Sequence, residues 1–342
     1  MTSINVGWHP VALGVAAAAA TAVTVTVASV ALGTAYHMPA QTTAVAEKAS
    51  FGLRVQIALL RFLSAVVIRN TLVPSLPKDI RLLTWEIPQP QGHRTRVLVL
   101  VPEGVEAAGD GPIVVDIHGG GFCGGAPEDE VEFGCRVAKE LKCTVVLASY
   151  GLAPEHPHPA GVEDCEGVVQ WLRETYPDSN IAVGGFSAGG TLAYNTVLKF
   201  KGDPKVKLVY AWYAPADFSK ASDNDFEEKD NPYKRNMFHE AYLLGHPQDL
   251  AHPRLSPAYA PSADLPPTAV FIAASIDPNI RDIVKLQDRL AAEHPHFIGR
   301  NYPDVPHGWN FLPKFALGED GLRKKEDGFV VTIDALRSAL FC

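Results

Sequence analysis

The sequence predicts an α/β fold with a mostly parallel central sheet and helices on both of its faces. Short apolar runs of strand length alternate with longer segments of helical periodicity through most of the chain. The runs 112–117 and 269–274 are apolar almost throughout, which is typical of strands buried on both faces. A third run, 181–185, enters a helical segment through the glycine-rich turn 184–190. In such sheets the functional groups lie at the carboxyl ends of the strands.

The elements before this turn begin with an amphipathic helix predicted over residues 51–73. Its arginines, Arg54, Arg61 and Arg69, recur at intervals of seven and eight residues and therefore share nearly one helical face. Two prolines just beyond it end the helix. The segments that follow are strands at 80–87, 94–101, 112–117 and 144–149 and a helix at 128–142.

The elements after the helix at 128–142 continue the same alternation until residue 217. They are a helix at 161–175, the strand 181–185, a helix at 188–200 and a strand at 206–213. The segment 217–267 breaks the rhythm with charged, proline and aromatic residues, and an insertion of this length usually has structure or a function of its own. Its large side chains could line an acyl or aryl pocket or form a small core; they are Tyr233, Met237, Phe238, Tyr242 and Leu243. Beyond the run 269–274, helices are predicted at 281–293 and 321–340.

Composition and charge narrow the function. The 342 residues are 47% hydrophobic and 20% charged, which suffices for one large core and predicts a single domain over 46–342. The formal net charge is −8 without any run of Lys or Arg, so nucleic acid is not an expected partner. The 5 cysteines have no metal-type spacing, so we expect buried thiols, although Cys123 could line a pocket. No metal or cofactor is expected, because neither a metal cluster nor a dinucleotide fingerprint occurs in the sequence.

The turn at 184–190 contains a Gly-x-Ser-x-Gly pattern formed by Gly185, Ser187 and Gly189. Small residues on both sides of a serine allow a strained bend from strand into helix, which exposes the Oγ atom at the helix N-terminus. The same pattern can also be a plain tight connection, so the interpretation depends on catalytic partners elsewhere in the chain. A serine nucleophile needs a base, a group that orients the base, and donors for an oxyanion.

The candidate oxyanion donors follow the strand run 112–117. Glycines at 119, 120 and 121 allow backbone N–H groups to approach a tetrahedral oxyanion, alongside the N–H of Ala188 just after the serine. The predicted oxyanion hole therefore consists of Gly119, Gly120, Gly121 and Ala188.

The candidate acid and base come later in the chain. Asp277 lies just past the run 269–274, and His307 lies in a predicted loop at 302–308. The order Ser187, Asp277, His307 is that of the α/β-hydrolases and differs from the order in other serine hydrolase folds. Asp282 and Asp304 are the alternative acids; Asp277 is preferred because it stands immediately past a strand end.

Five motifs together resemble the hormone-sensitive-lipase group of α/β-hydrolases, also called fold-3 esterases. The motifs are His118 to Phe122, Tyr150 to Pro157, the serine turn, Asp277 to Asp282, and His307 with Gly308. The resemblance runs from about Leu82 to the C-terminus. It implies an α/β-hydrolase fold, the triad Ser187, Asp277 and His307, and a cap over the active site, expected at about 51–79 and 217–267.

Two positions depart from the pattern of this family. Phe186 stands where the family usually has aspartate, and Gly151 stands where it usually has arginine. Loss of both charges would be explained if they normally support each other. We predict substrate contacts from Phe122, Phe186 and Tyr242.

The predicted function is hydrolysis of carboxylic esters through an acyl-enzyme, with short to medium acyl or small lipophilic esters as substrates. An acyltransferase would share the same acyl-enzyme and differ only in the group that accepts the acyl chain. A third possibility is a non-catalytic small-molecule receptor, since the resembling family includes receptors that have lost the catalytic histidine. His307 is present in this chain, which favours an enzyme.

The segment 11–32 contains 22 residues without a charge, enough to span a bilayer. Four basic residues, Lys48, Arg54, Arg61 and Arg69, lie downstream against Glu47 alone. The positive-inside rule then predicts a single-pass anchor with the catalytic domain in the cytoplasm. A signal peptide cut near residue 31 or 33, giving a secreted enzyme, is the main alternative, and an uncharged disordered tail is another.

Overall fold

A computed structural model describes residues 48–63, 76–107, 109, 111–219, 237–245 and 249–341. The segment 11–32 lies outside the described residues, so the anchor predicted there and its signal-peptide alternative stay predictions. Among the residues that are described, no helix combines the length and the apolar character needed to cross a bilayer.

The centre of the fold is an eight-stranded sheet. Its strands are β1 (Ile80–Pro88), β2 (Arg94–Pro102), β3 (Ile113–Ile117), β4 (Thr144–Ala148), β5 (Ile181–Phe186), β6 (Val206–Trp212), β7 (Thr268–Ile276) and β8 (Phe297–Pro306). The spatial order is β1-β2-β4-β3-β5-β6-β7-β8. β2 pairs antiparallel with both β1 and β4, and every other neighbouring pair is parallel. The predicted α/β fold with a mostly parallel sheet is confirmed.

Helices cover both faces of this sheet. They are α1 (Phe51–Leu63), α2 (Val131–Leu141), α3 (Ala160–Thr175), α4 (Ala188–Lys199), α5 (Met237–Tyr242), α6 (Ile280–Glu293) and α7 (Lys314–Leu340). Along β3, Ile113, Val115 and Ile117 face the cluster that contains α3 and α4, whereas Val114 faces the cluster that contains α2 and α7. Each large aliphatic side chain buried in this way stabilises the fold by about 1.5–3 kcal/mol.

The structure differs from the sequence-based expectations at three places. The helix expected at 128–142 divides into a 3₁₀ turn, Pro127–Glu130, and α2. The last helix begins at Lys314 and is kinked at Gly318, where φ is 63°. The loop expected at 302–308 is largely strand, because β8 pairs with β7 as far as Pro306. β8 is an edge strand, and an edge strand tolerates prolines that a central strand would not.

The first turn of α4 packs directly on the end of β3. A Cβ atom added to Gly189 would lie 1.9 Å from the carbonyl oxygen of Ile117, and one added to Gly185 would lie 2.3 Å from the same atom. Backbone cannot yield at such a contact as a flexible side chain could. The two glycines therefore allow β5, β3 and α4 to meet at one point.

We expect Gly189→Ala to destabilise the protein by about 3 kcal/mol, because the new methyl group would collide with the Ile117 carbonyl. The matched control is Gly52→Ala in α1, where an added Cβ has nothing within 4 Å. That change should be neutral or stabilise by up to about 1 kcal/mol. Urea unfolding of both variants measures the difference, and equal stabilities would contradict this view of the contact.

Candidate active site

Ser187 occupies a strained turn between β5 and α4. Its φ of 52° and ψ of −123° lie outside the usual regions for a residue with a side chain. The Ser187 N–H donates to the carbonyl oxygen of Trp212 (2.8 Å), which ties the turn to the end of β6. This conformation is the one expected of a nucleophile turn, with the serine immediately before the helix N-terminus.

Ser187, His307 and Asp277 form one hydrogen-bonded chain. The Ser187 hydroxyl donates to Nε2 of His307 (2.7 Å), and Nδ1–H of His307 donates to Oδ2 of Asp277 (2.6 Å). The Asp277 side chain is fully buried, and its Oδ1 accepts a hydrogen bond from the N–H of Asn279 (2.7 Å). The imidazole is thus held in the tautomer that leaves Nε2 free to accept the serine proton.

The two alternative acids lie elsewhere. Asp304 is exposed, and its N–H donates to Oγ of Ser275 (2.8 Å). Asp282 is buried in the first turn of α6. Asp277 is therefore the acid that contacts His307 in this structure.

The loop after β3 lies beside Ser187. A Cβ atom added to Gly119 would be 3.4 Å from Cβ of Ser187. Gly120 and Gly121 have φ angles of 114° and 60°, which side chains rarely allow. Their N–H groups and that of Ala188 at the start of α4 make no hydrogen bond within the described part of the chain, as expected of donors reserved for an oxyanion.

Gly119 differs from the other predicted donors. Its N–H donates to Oε1 of Glu130 (3.3 Å). This acceptor competes with an oxyanion for the same N–H group. Gly120, Gly121 and Ala188 are the predicted donors whose N–H groups have no such acceptor among the described residues.

Three residues are predicted to contact the substrate, and the structure contradicts this prediction for Phe186. Its ring is 0% exposed and packs among aromatic side chains on the α2 and α7 face; they are Phe133, Trp212, Tyr213 and Phe311. The prediction was wrong because the residue before the serine points into the core.

Gly151, the second position that departs from the family pattern, lies in different surroundings from Phe186. Its N–H donates to Oδ2 of Asp164 (2.7 Å), and Oδ1 of Asp164 contacts Nε2 of His93 (2.6 Å).

Phe122 and Tyr242 form a stacked pair beside the oxyanion loop. Their ring centroids are 3.7 Å apart, and both side chains are at most 3% exposed. The Tyr242 hydroxyl also contacts Nδ1 of His158 (3.1 Å). The pair therefore joins α5 to the loop through the core, and its predicted contact with a substrate stays a prediction.

Phe238, at the start of α5, covers the oxyanion loop. A Cβ atom added to Gly121 would lie 2.4 Å from Cδ1 of Phe238, so the ring rests directly on this glycine. The sequence placed Phe238 among the aromatic residues of an insertion but did not assign it to the oxyanion loop.

Arg61 fastens α1 to the same loop. Its Nε donates to the carbonyl oxygen of Cys123 (2.6 Å), and its guanidinium group donates to the carbonyl oxygen of Ala153 (2.9 Å) and to Oε2 of Glu155 (2.7 Å). The arginine face of the amphipathic helix is thus turned toward the catalytic domain at this residue. Cys123 itself fills the core, and burial raises the pKa of its thiol to about 12, so the thiol is neutral near pH 7.

Tyr213 follows β6 directly and contacts His307. Its ring packs edge-on against the imidazole of His307, with centroids 4.8 Å apart, and its hydroxyl donates to Oδ1 of Asn310. Its φ of 38° is again unusual for a residue with a side chain. In the sequence, the only signal for a role of Tyr213 near the site is its position directly after the strand β6.

Within the described residues, no group of His, Cys, Asp and Glu side chains is arranged to hold a metal ion. The groups that Ser187, His307, Asp277 and the oxyanion loop bring together are a hydroxyl, an imidazole, a carboxylate and backbone N–H groups.

The chain is similar in sequence to a known protein family and to known hydrolases. A sequence profile described as the alpha/beta hydrolase fold matches residues 114–311. The chain is 34% identical over 225 residues to the carboxylic ester hydrolase LipN of Mycobacterium tuberculosis, a match that covers 60% of this chain and 59% of LipN. It is 31% identical over 214 residues to esterase LipI of the same organism, covering 58% of this chain and 66% of LipI. The chain thus matches less than two thirds of the length of either relative.

A solved structure is similar over a larger share of the chain. The hyperthermophilic esterase of Pyrobaculum calidifontis superimposes with a TM-score of 0.68 at 26% identity, covering 88% of this chain and 99% of that protein.

We expect Asp277→Asn to lower kcat by about 10⁴-fold while the fold is retained, because an amide would favour the wrong tautomer of His307. Asp304→Asn is the matched control, since that carboxylate is exposed and away from the imidazole. Steady-state kinetics with near-UV circular dichroism measure both effects. A larger loss from Asp304→Asn would contradict the assignment of the acid.

Proposed function

Because the chain belongs to the α/β-hydrolase fold family, we propose that it is a serine hydrolase that cleaves carboxylic esters through an acyl-enzyme. The observation that carries the proposal is the continuous chain from Ser187 through His307 to Asp277, with N–H donors beside the serine. Relatives named as ester hydrolases support the same chemistry.

In the first half of the reaction, His307 accepts the Ser187 proton while Oγ attacks the carbonyl carbon of the ester. The carbonyl oxygen becomes an oxyanion that the N–H groups of Gly120, Gly121 and Ala188 stabilise. One donor of this kind contributes about 3–4 kcal/mol to the transition state. The N-terminal end of the α4 dipole adds to the stabilisation, because Ala188 is the first residue of that helix.

In the second half, the imidazolium donates its proton to the leaving alcohol. A water molecule then attacks the acyl-enzyme, and His307 takes a proton from it as it did from the serine. The bond between Oγ and the acyl carbon breaks, the imidazolium returns this proton to Oγ of Ser187, and the carboxylic acid leaves. Asp277 stabilises the imidazolium in both halves through the 2.6 Å hydrogen bond to Nδ1.

The substrates that we propose are short to medium acyl esters or small lipophilic esters. Phe238 lies over Gly121 and is only partly buried, so it presents aromatic surface at the oxyanion loop. The stacked Phe122 and Tyr242 are almost wholly buried and support this loop from the core. We propose that α1 and α5 act as the cap of the site, since Arg61 on α1 and Phe238 on α5 both contact this loop.

Turnover of nitrophenyl esters from acetate to decanoate tests the proposed reaction. We expect hydrolysis by the wild-type protein and a loss of at least about 10³-fold in Ser187→Ala, which removes the nucleophile. Adding methanol or a primary amine separates hydrolysis from acyl transfer by the product formed. Absence of turnover from folded wild-type protein at every chain length would contradict the proposal and favour the receptor alternative.

Substitution of Phe238 tests the proposed cap. We expect Phe238→Ala to raise kcat/KM for octanoate relative to acetate by about 10-fold, since removing the ring opens space above Gly121. The control is Phe315→Ala, because the Phe315 side chain is 91% exposed. An unchanged ratio in Phe238→Ala would show that this ring does not limit the acyl group.

A further inference from the structure

Two carboxyl side chains lie buried directly beneath the oxyanion loop. Asp116 in β3 is 0% exposed, and Glu130, the last residue of the 3₁₀ turn before α2, is 1% exposed. Oε1 of Glu130 accepts the N–H of Gly119. Within the described chain, no protein atom makes a well-oriented hydrogen bond to Oε2 of Glu130 or to either oxygen of Asp116.

The sheet register places a third polar group next to this pair. Asp116 is opposite Gly184 of β5, and Gly184 is opposite Tyr210 of β6. A Cβ atom added to Gly184 would lie 2.1 Å from the Tyr210 ring, so the missing side chain lets this ring cross toward Asp116. The pair and the phenol are thus enclosed between the sheet and α2.

Burial determines the charge of the pair. It raises the pKa of Asp116 well above the usual range, and the nearby Tyr210 hydroxyl offsets only part of that effect. Burial also raises the pKa of Glu130, and the charges of Asp116 and Asp129 raise it further. Two ionised carboxylates in a dry site would repel each other strongly. The pair therefore keeps protons that exposed carboxyl groups lose below about pH 5.

We propose that Glu130 is a positioning residue for the oxyanion hole and that Asp116 is its buried partner next to the oxyanion loop. The carboxyl group of Glu130 holds the Gly119 peptide by its N–H. This orientation aims the following two N–H groups, of Gly120 and Gly121, at the ester oxygen. The inference rests on the proposed function, because the oxyanion hole has a role only in that reaction.

The proposed role of Glu130 also depends on its carboxyl group being protonated. A carboxylate this close to Gly119 would oppose the negative charge that develops on the ester oxygen. Ionisation at alkaline pH should therefore lower kcat. The titratable groups that face the pair or the Gly119 peptide are Asp129, His118, Tyr150, Tyr210 and Tyr213, with Cys143 beside Tyr210.

Two substitutions of Glu130 distinguish its effect as a hydrogen-bond acceptor from the effect of its charge. Glu130→Gln keeps an oxygen that can accept the Gly119 N–H but cannot ionise, whereas Glu130→Leu removes the acceptor. We expect Glu130→Leu to lower kcat by about 10-fold or more with KM nearly unchanged, and Glu130→Gln to stay within about threefold of wild type at about pH 7. In Glu130→Gln the alkaline fall of kcat should be lost or moved to higher pH. The same substitutions at Glu132, an exposed carboxylate paired with Lys325, are the matched controls.

Hydrogen exchange of the peptide 118–125 supplies a readout that needs no turnover. It should be faster in Glu130→Leu and unchanged in Glu130→Gln and in both Glu132 variants. If wild-type protein hydrolyses no ester, the proposed function fails, and exchange still decides whether Glu130 holds the loop.

Thermal unfolding measures whether the stability of the folded protein rises or falls with pH. Because the pKa of both carboxyls is raised in the folded state, the folded protein binds more protons than the unfolded chain above about pH 4. Stability should fall as the pH rises toward the raised values, and Glu130→Gln should gain Tm relative to wild type at about pH 8 but not at about pH 4.

The proposal is overturned if folded Glu130→Leu keeps wild-type kcat and exchange, or if Glu130→Gln is as impaired as Glu130→Leu. Should Glu130→Leu not fold, Glu130→Gln decides, since an alkaline profile identical to that of wild type overturns the proposal.

Discussion

The close contact between the first turn of α4 and the end of β3 is the constraint on which the site depends. Gly185 and Gly189 both meet the carbonyl oxygen of Ile117, the last residue of β3. The oxyanion loop begins directly after that strand, so the contact determines how near the loop comes to Ser187. A side chain at either glycine would push the loop and Ser187 apart, and the proposed reaction is sensitive to displacements of about 1 Å.

The buried carboxyl groups near this contact differ in how many hydrogen-bond donors surround them. Asp277 is buried but has two donors, the imidazole of His307 and the N–H of Asn279, so both of its carboxyl oxygens are hydrogen-bonded. Asp116 and Glu130 are buried with far fewer donors, and their surroundings favour the protonated form. The surroundings, rather than the residue type, thus separate the acid that supports His307 from the pair that supports the loop.

Much of the fold can be predicted from the sequence, because strand and helix periodicity and the turn around Ser187 are local patterns. The sequence also predicts that Ser187, Asp277 and His307 come together, and the structure joins them by hydrogen bonds. Phe186 was misassigned, since sequence does not show that the side chain before the serine points into the core. Asp116 stood within a run interpreted as a uniformly apolar strand, and Glu130 within a helix start. Their proximity arises from register and burial, which no local pattern contains. The same holds for Tyr213, whose contact with the imidazole joins distant parts of the chain.

The proposed reaction requires that Oγ of Ser187 carries the acyl group. Acid quenching during turnover of a nitrophenyl ester, followed by peptide mass spectrometry, locates that group. We expect the acyl mass on the peptide that contains Ser187, forming in a burst of about one equivalent. Ester turnover with the acyl group on another residue, such as Cys123, or with no acylated peptide at all, would contradict it.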